Sequence, residues 1–297
     1  MTTFNINPSD EIAARVVEHF KGEIKANDFG FIYRRYPAPP KTDPDMFTDG
    51  EIHGYRAQVP FYPASVVKVF FMVALLEQVK EKTIILDKED KRALKNMIQI
   101  SSNDATGYLL GRITDTTGGK ALPPSKMEAW WEKRSWVQHY FDRYNWPQFD
   151  SIKLYHSTFE ECPYGREQIS RDIYGSNVLT PLAAATLMHA IAAGQMVDPD
   201  ASEQMMGLLS RDWERDPKLL ETWNNDQVRG YIVESVPADL NVWSKSGSTS
   251  VTRHDLVYVE SPQGPAMTMA AFSQGKVCAG NKQFLPTLGR FLLEQIS

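Results

Sequence analysis

The strand-like segments of this chain lie at its two ends, with a long helical stretch between them, and that order constrains the fold more than any other feature. Near the N-terminus, Phe29-Gly30-Phe31-Ile32-Tyr33 is rich in aromatic and β-branched residues and reads as a strand, and the stretch 54–59 reads as a second. Near the C-terminus, 242–244, 255–260 and 267–272 read the same way, with Gly264-Pro265 as the turn between the last two. An amphipathic helix over 8–23 comes first: Asn7-Pro8 has the look of a cap and first turn, and Ile12, Ala13, Val16, Val17 and Phe20 recur at helical spacing. Helices are predicted at 64–81, 88–99, 103–112, 125–143, 180–194, 201–210 and 284–296. The proline-rich stretch 36–49 is a loop, and 146–177 is irregular. A structureless stretch that long usually carries function. Strands at both ends imply an α/β (α+β) fold: an antiparallel sheet built from N- and C-terminal segments and flanked by helices, with an all-helical subdomain inserted. The predicted division is 1–60 with 213–297, and 61–212. The active site is expected between the two, where small-molecule sites tend to lie.

Bulk properties exclude several function classes. The 297 residues are 42% hydrophobic and 23% charged, an ordinary globular mixture, and the formal net charge is -5. No basic cluster exceeds Arg34-Arg35, so nucleic acid is not an expected partner. The longest apolar run, Val66 to Leu76, is interrupted by Lys68 and is too short for a membrane span. The N-terminus, MTTFNINPSDEIAARVV, has no basic segment followed by an apolar one, so the expected location is cytoplasmic unless export follows an unseen route. The two cysteines, Cys162 and Cys278, fit no zinc spacing and read as buried free thiols. The 6 histidines are scattered without ligand spacing. No metal and no cofactor is expected.

Three short strings carry chemistry. In Tyr62-Pro63-Ala64-Ser65-Val66-Val67-Lys68-Val69-Phe70-Phe71, a spacing of three puts Ser65 and Lys68 on one helical face. A serine hydroxyl is a poor nucleophile without a base beside it, and a lysine whose ammonium is disfavoured by burial or a second cation can be that base. A plain surface lysine is the bland alternative, and the apolar residues around Lys68 argue against it. The same spacing recurs in Ser273-Gln274-Gly275-Lys276, but there it sits in a turn. The second string, Ser101-Ser102-Asn103, would pass alone for a helix cap. The third, Lys245-Ser246-Gly247, follows a strand; its small residues let a ligand approach the backbone, and Lys245 supplies a second positive charge.

Taken in order, Ser-x-x-Lys, Ser-x-Asn and Lys-Ser-Gly resemble the motif set of the class A β-lactamases and penicillin-binding proteins. The resemblance runs over roughly 29–296. It includes the approach Tyr55 to Ser65, the segment Ser101 to Gly119, the helix after Val178-Leu179-Thr180-Pro181, and the approach Pro237 to Gly247. It implies a serine hydrolase that forms an acyl-enzyme at Ser65 with a β-lactam or peptide-like carbonyl. Lys68 would take the proton, Ser101 would relay one to the leaving nitrogen, and Asn103 would hold the substrate amide. Lys245, Ser246 and Gly247, with Arg253 a few residues on, would bind the substrate carboxylate, and the N–H groups of Ser65 and Ser248 would form the oxyanion hole. Ser102 replaces the family's aspartate. The interval from Ser65 to Ser101 is shorter than in class A enzymes, and that from Ser101 to Lys245 is longer, with the extra length around 125–160. The family's Arg-x-Glu-Pro stretch, whose glutamate activates the deacylating water, is missing. Its place is taken by Phe159-Glu160-Glu161-Cys162-Pro163, where Glu161, or else Glu160, is the candidate. β-Lactam hydrolysis is therefore expected. The alternatives are a DD-peptidase, transpeptidase or esterase that deacylates slowly, and a non-catalytic ligand-binding member of the fold.

Overall fold

A computed structural model describes residues 5–40, 50–158, 164–211 and 227–296. The chain forms two compact units, one of 1–61 with 180–297 and one of 62–179.

The first unit is built on a 6-stranded sheet, β1 (Asn7–Pro8), β2 (Phe29–Tyr36), β3 (Glu51–Tyr55), β4 (Asn241–Ser248), β5 (Arg253–Glu260) and β6 (Ala266–Ser273), in the order β1-β3-β2-β6-β5-β4. The sheet is assembled from both ends of the chain, since β2 pairs antiparallel with β6 from Phe29↔Ser273 to Tyr36↔Ala266. All its pairings are antiparallel except the short β1 on β3.

Alternation along the strands sorts the two faces of the sheet. Phe29, Phe31 and Tyr33 of β2, Met267 and Met269 of β6, and Val257 and Val259 of β5 join one core cluster. That cluster also holds Ile12 and Val16 of α1 (Asp10–His19) and Phe284, Leu288 and Leu292 of α11 (Phe284–Leu293). The other face meets α8 (Pro181–Ala192), whose side chains are buried almost all round. There Tyr36 Oη lies 2.9 Å from His189 Nδ1 and 3.1 Å from Thr268 Oγ1.

The second unit centres on α2 (Lys68–Lys80), buried over most of its circumference and packed by α3 (Lys88–Gln99), α4 (Asn103–Thr114) and α6 (Trp136–Asp142). Phe70, Phe141 and Phe149 stack edgewise at its core, with ring centroids 5.0 to 6.0 Å apart. Local sequence fixes the helix starts. Asp87 and Asp90 form a reciprocal capping box at α3, and Ser102 Oγ accepts from the Ala105 N–H at α4. The remaining helices among the described residues are α5 (Pro124–Arg134) and α7 (Gly165–Tyr174) here, and α9 (Pro199–Leu209) and α10 (Lys276–Gly280) in the sheet unit.

Several expected boundaries move. The division predicted at 212 falls at 180 instead, because α8 is apolar on all sides and needs the sheet to cover it. The first helix starts at Asp10, since Asn7 and Pro8 are taken up by pairing with His53 and Gly54. The second strand spans 51–55 rather than 54–59, and the left-handed Arg56 (φ 51°) ends it. The helix expected over 125–143 breaks at Ser135, whose Oγ bonds back to the Trp131 carbonyl at 2.9 Å. The stretch expected to be irregular over 146–177 contains α7.

Candidate active site

The predicted site residues fall into two groups, one on each unit. In the helical unit, Ser65 lies in a 3-10 turn, Ala64–Val67, that runs directly into α2 at Lys68. Ala64 is left-handed at φ 46°, so the turn carrying Ser65 is entered through a strained residue.

Lys68 is fully buried. Its ammonium donates to the Ser101 carbonyl at 2.6 Å, to Asn103 Oδ1 at 2.7 Å and to Ser101 Oγ at 3.2 Å. An ammonium has three N–H bonds to donate, and these three oxygens are acceptors for it. Ser101 presents both its carbonyl and its hydroxyl to one nitrogen, and it is itself left-handed at φ 56°. Strain of about 1–3 kcal/mol per such residue persists only where the surroundings over-determine it. Here the surroundings are the Lys68 contacts on one side and the α4 cap on the other. The Ser-x-Asn string is therefore both the cap and the lysine's acceptor set.

Sequence reasoning missed Thr158. It is buried, and its Oγ1 donates to Asn103 Oδ1 at 2.9 Å, beside the Lys68 bond. Its only sequence signal was membership of the long 146–177 stretch. That stretch is closed at its neck by the Lys153–Val178 bridge. Inside the neck, Asn177 Oδ1 accepts from the N–H groups of Tyr155 and His156, and its Nδ2 donates to the His156 carbonyl at 2.6 Å. The candidates Glu160 and Glu161, and Cys162 with them, lie outside the described residues.

On the sheet unit, Lys245, Ser246, Gly247 and Ser248 form the end of β4. Lys245 is fully buried and donates to Gln227 Oε1 at 2.7 Å and to the Ser246 carbonyl at 2.9 Å; Ser246 Oγ reaches the same Gln227 oxygen at 3.2 Å. Gln227 belongs to no motif, and nothing in its surrounding sequence marks it. Arg253 opens β5 directly opposite Ser248. Its guanidinium stacks 5.0 Å over the Tyr231 ring and donates to the Ala279 carbonyl at 2.9 Å, while Tyr231 Oη donates to Ser248 Oγ.

Asp255, opposite Ser246, is, after Thr158 and Gln227, a third residue the sequence did not flag. It is fully buried, and burial pushes its carboxyl up to about 7 against the pull of the Val233 and Ile232 N–H groups and of the Arg211 and Lys245 charges. Burial also pushes the free Cys278 thiol up to about 12, so it is inert at neutral pH. Ser273 of the second Ser-x-x-Lys spacing ends β6, and its Oγ donates to the Arg253 carbonyl. A cavity of about 660 Å3 elsewhere in the helical unit is lined by Tyr108, Arg112, Thr117, Trp130 and Arg166 among others, and by none of the predicted site residues.

The mixed α/β fold, a 6-stranded sheet flanked by helices, is the β-lactamase fold. The model of the β-lactamase enzyme family matches residues 43–92 and 91–296, and the chain belongs to that family. Solved structures share the fold at low identity. A β-lactamase from Chitinophaga pinensis DSM 2588 aligns at TM-score 0.64 and 17% identity over 97% of each chain. A β-lactamase from Sphaerobacter thermophilus DSM 20745 aligns at 0.62 and 17% over 96% of each. PBP-A aligns at 0.65 and 13% over 98% of each. No curated protein sequence matches the chain. No helix among the described residues is long and apolar enough to cross a membrane.

Proposed function

We propose that the chain is a serine hydrolase that forms an acyl-enzyme at Ser65 and hydrolyses β-lactams. The observation carrying this reading is the Lys68 ammonium held by Ser101 and Asn103 one turn from Ser65. In the proposed cycle Lys68, once it has passed a proton to solvent or to a neighbouring base, takes the Ser65 proton as Oγ attacks the lactam carbonyl. The N–H groups of Ser65 and Ser248 stabilise the oxyanion. Ser101 Oγ, already 3.2 Å from Lys68 Nζ, carries the proton on to the leaving nitrogen. Asn103 holds the substrate amide, and Lys245, Ser246, Gly247 and Arg253 hold its carboxylate. Glu161, or Glu160 next to it, activates the water that releases the acyl group.

A second reading is a peptidase, transpeptidase or esterase that acylates and then deacylates slowly. One neighbour favours it: a PBP-A variant is described as an acyl-enzyme complex with penicillin-G. Intact-mass measurement after penicillin G, with Ser65→Ala as control, separates the readings. An adduct on the native chain that returns rapidly to free mass supports hydrolysis. A lasting adduct supports the slow acyl-enzyme, and an adduct that survives Ser65→Ala refutes both. Turnover of a chromogenic cephalosporin by Glu160→Ala and Glu161→Ala then identifies the deacylating group; undiminished turnover in both removes these residues from the mechanism.

A further inference from the structure

Behind Thr158 lies a buried ionisable cluster that the proposed cycle does not use. Glu167 of α7 and His156 are fully buried, and Arg134 at the end of α5 is nearly so. Arg134 Nη2 donates to Glu167 Oε1, and its Nη1 donates to Thr116 Oγ1 at 3.0 Å. On the other carboxyl oxygen, Oε2, sits His156 Nδ1 at 3.2 Å, while His156 Nε2 faces the Gly175 carbonyl at 3.0 Å.

A neutral imidazole carries one proton, and here both ring nitrogens face oxygens. The Gly175 carbonyl can only accept, so Nε2 must donate. An ionised Glu167 would then set two lone pairs against each other at Nδ1. The contact needs one further proton, on the ring or on the carboxyl. The Arg134 bond by itself favours an ionised carboxyl, but it engages Oε1 and leaves Oε2 facing the ring. Burial, then the Arg171 and Arg134 charges, weaken the ring's own hold on a second proton, so that proton is kept only while it bridges Nδ1 and Oε2. Among the described residues, charged groups beside the pair are Arg134 from α5 and Arg171 from α7, the latter donating to the Ser157 carbonyl at 3.4 Å; the rings of Trp131 and Tyr155 lie with centroids 6.1 Å from that of the imidazole.

We propose that Glu167 and His156 are positioning residues: a proton bridging Oε2 and Nδ1 fixes the 156–158 segment and so holds Thr158 against Asn103. Neither residue touches the Lys68 cluster. The link runs from His156 through Ser157 to the Thr158 hydroxyl and its bond to Asn103 Oδ1. The sign follows from the bridging proton. In the unfolded chain neither a glutamate nor a histidine holds its proton above about 6.5, whereas the folded contact needs one. The stabilisation is complete below the unfolded value and is lost as pH rises through the folded one.

The consequence for acylation rests on the proposed function; the proton does not, and the test separates them. Glu167→Gln keeps an acceptor for Arg134 and puts a permanent N–H opposite Nδ1, so it mimics the protonated pair. Thermal unfolding from pH 4 to 10, with the Asn103 side-chain amide resonance followed by NMR, is measured for the native chain, Glu167→Gln and Glu167→Ala. The native midpoint falls and the Asn103 resonance shifts together on the alkaline side. Glu167→Gln loses that alkaline fall, and Glu167→Ala is destabilised at every pH. A Glu167→Gln profile parallel to the native one, or as damaged as Glu167→Ala, overturns the bridging proton; an Asn103 resonance indifferent to pH and to both variants overturns the positioning role. If the native chain forms no penicillin G adduct, the proposed function fails while these readouts still decide the pair. If an adduct forms, its rate follows the same alkaline limb in the native chain and not in Glu167→Gln.

Discussion

Replacing Asp255 by asparagine should abolish a pH dependence of folding that the native chain carries. The carboxyl is fully buried and is raised from 3.8 to about 7, burial outweighing two backbone N–H groups and two cationic neighbours. A raised acid makes the folded state the stronger proton binder. Its contribution is complete below the unfolded value near 3.8 and drains away as pH rises through about 7, after which it is constant. At 1.36 kcal/mol per pKa unit the full span corresponds to about 4 kcal/mol, and relaxation around the ionised group brings the expected loss to about 2–4 kcal/mol. The substituted side chain would keep an oxygen for the Val233 N–H and never ionises. Its amide nitrogen would take the place of Oδ1, which has no partner among the described residues, and that adds an offset independent of pH. Urea unfolding of both chains at intervals from pH 4.5 to 8 gives the difference free of all shared titrations. The native chain should lose stability relative to Asp255→Asn as pH rises, with the difference flat above pH 7.5. Two curves that stay parallel across the whole range would refute the argument, because Asp255 would then titrate alike folded and unfolded.

Other outcomes follow from single contacts. Ser102→Ala removes the α4 cap and should cost about 1 kcal/mol in denaturant unfolding, with Ser102→Gly milder. Asn177→Ala strips three hydrogen bonds from the neck of the 153–178 segment; a loss of about 1–3 kcal/mol is expected, along with faster proteolysis inside that segment. Lys245→Ala should raise the penicillin G concentration needed for half-maximal acylation by more than it lowers the limiting rate, which steady-state kinetics will read directly.

Much of this architecture was legible because local signals agreed with each other. Pro181 after Thr180 announces a helix start in two residues. The strands at both ends carried the sheet, and a lysine among Val66, Val67, Val69 and Phe70 was conspicuous because burying a charge demands partners. Those partners, Ser101 and Asn103, could be named only through the resemblance. What stayed hidden depends on contacts between segments far apart in sequence. Thr158, Gln227 and the Arg134–Glu167–His156 cluster have no characteristic spacing, since each is defined by what folds against it. The break at Ser135 was missed because its neighbours continue the helical pattern and only a side-chain bond to the preceding turn interrupts it.

The partnership of β2 with β6 also sets a schedule for synthesis. During translation β2 emerges early, yet the strand that covers its long edge ends at Ser273. Until then the nascent chain displays eight residues' length of bare backbone, a template for pairing with any other extended segment. Closing that long-range pairing is expected to be slow, because loop-closure entropy is lost before the strands' contacts offset it. A chain cut off before Ala266 should accumulate as aggregate, even though every helix of the inserted unit has already been made.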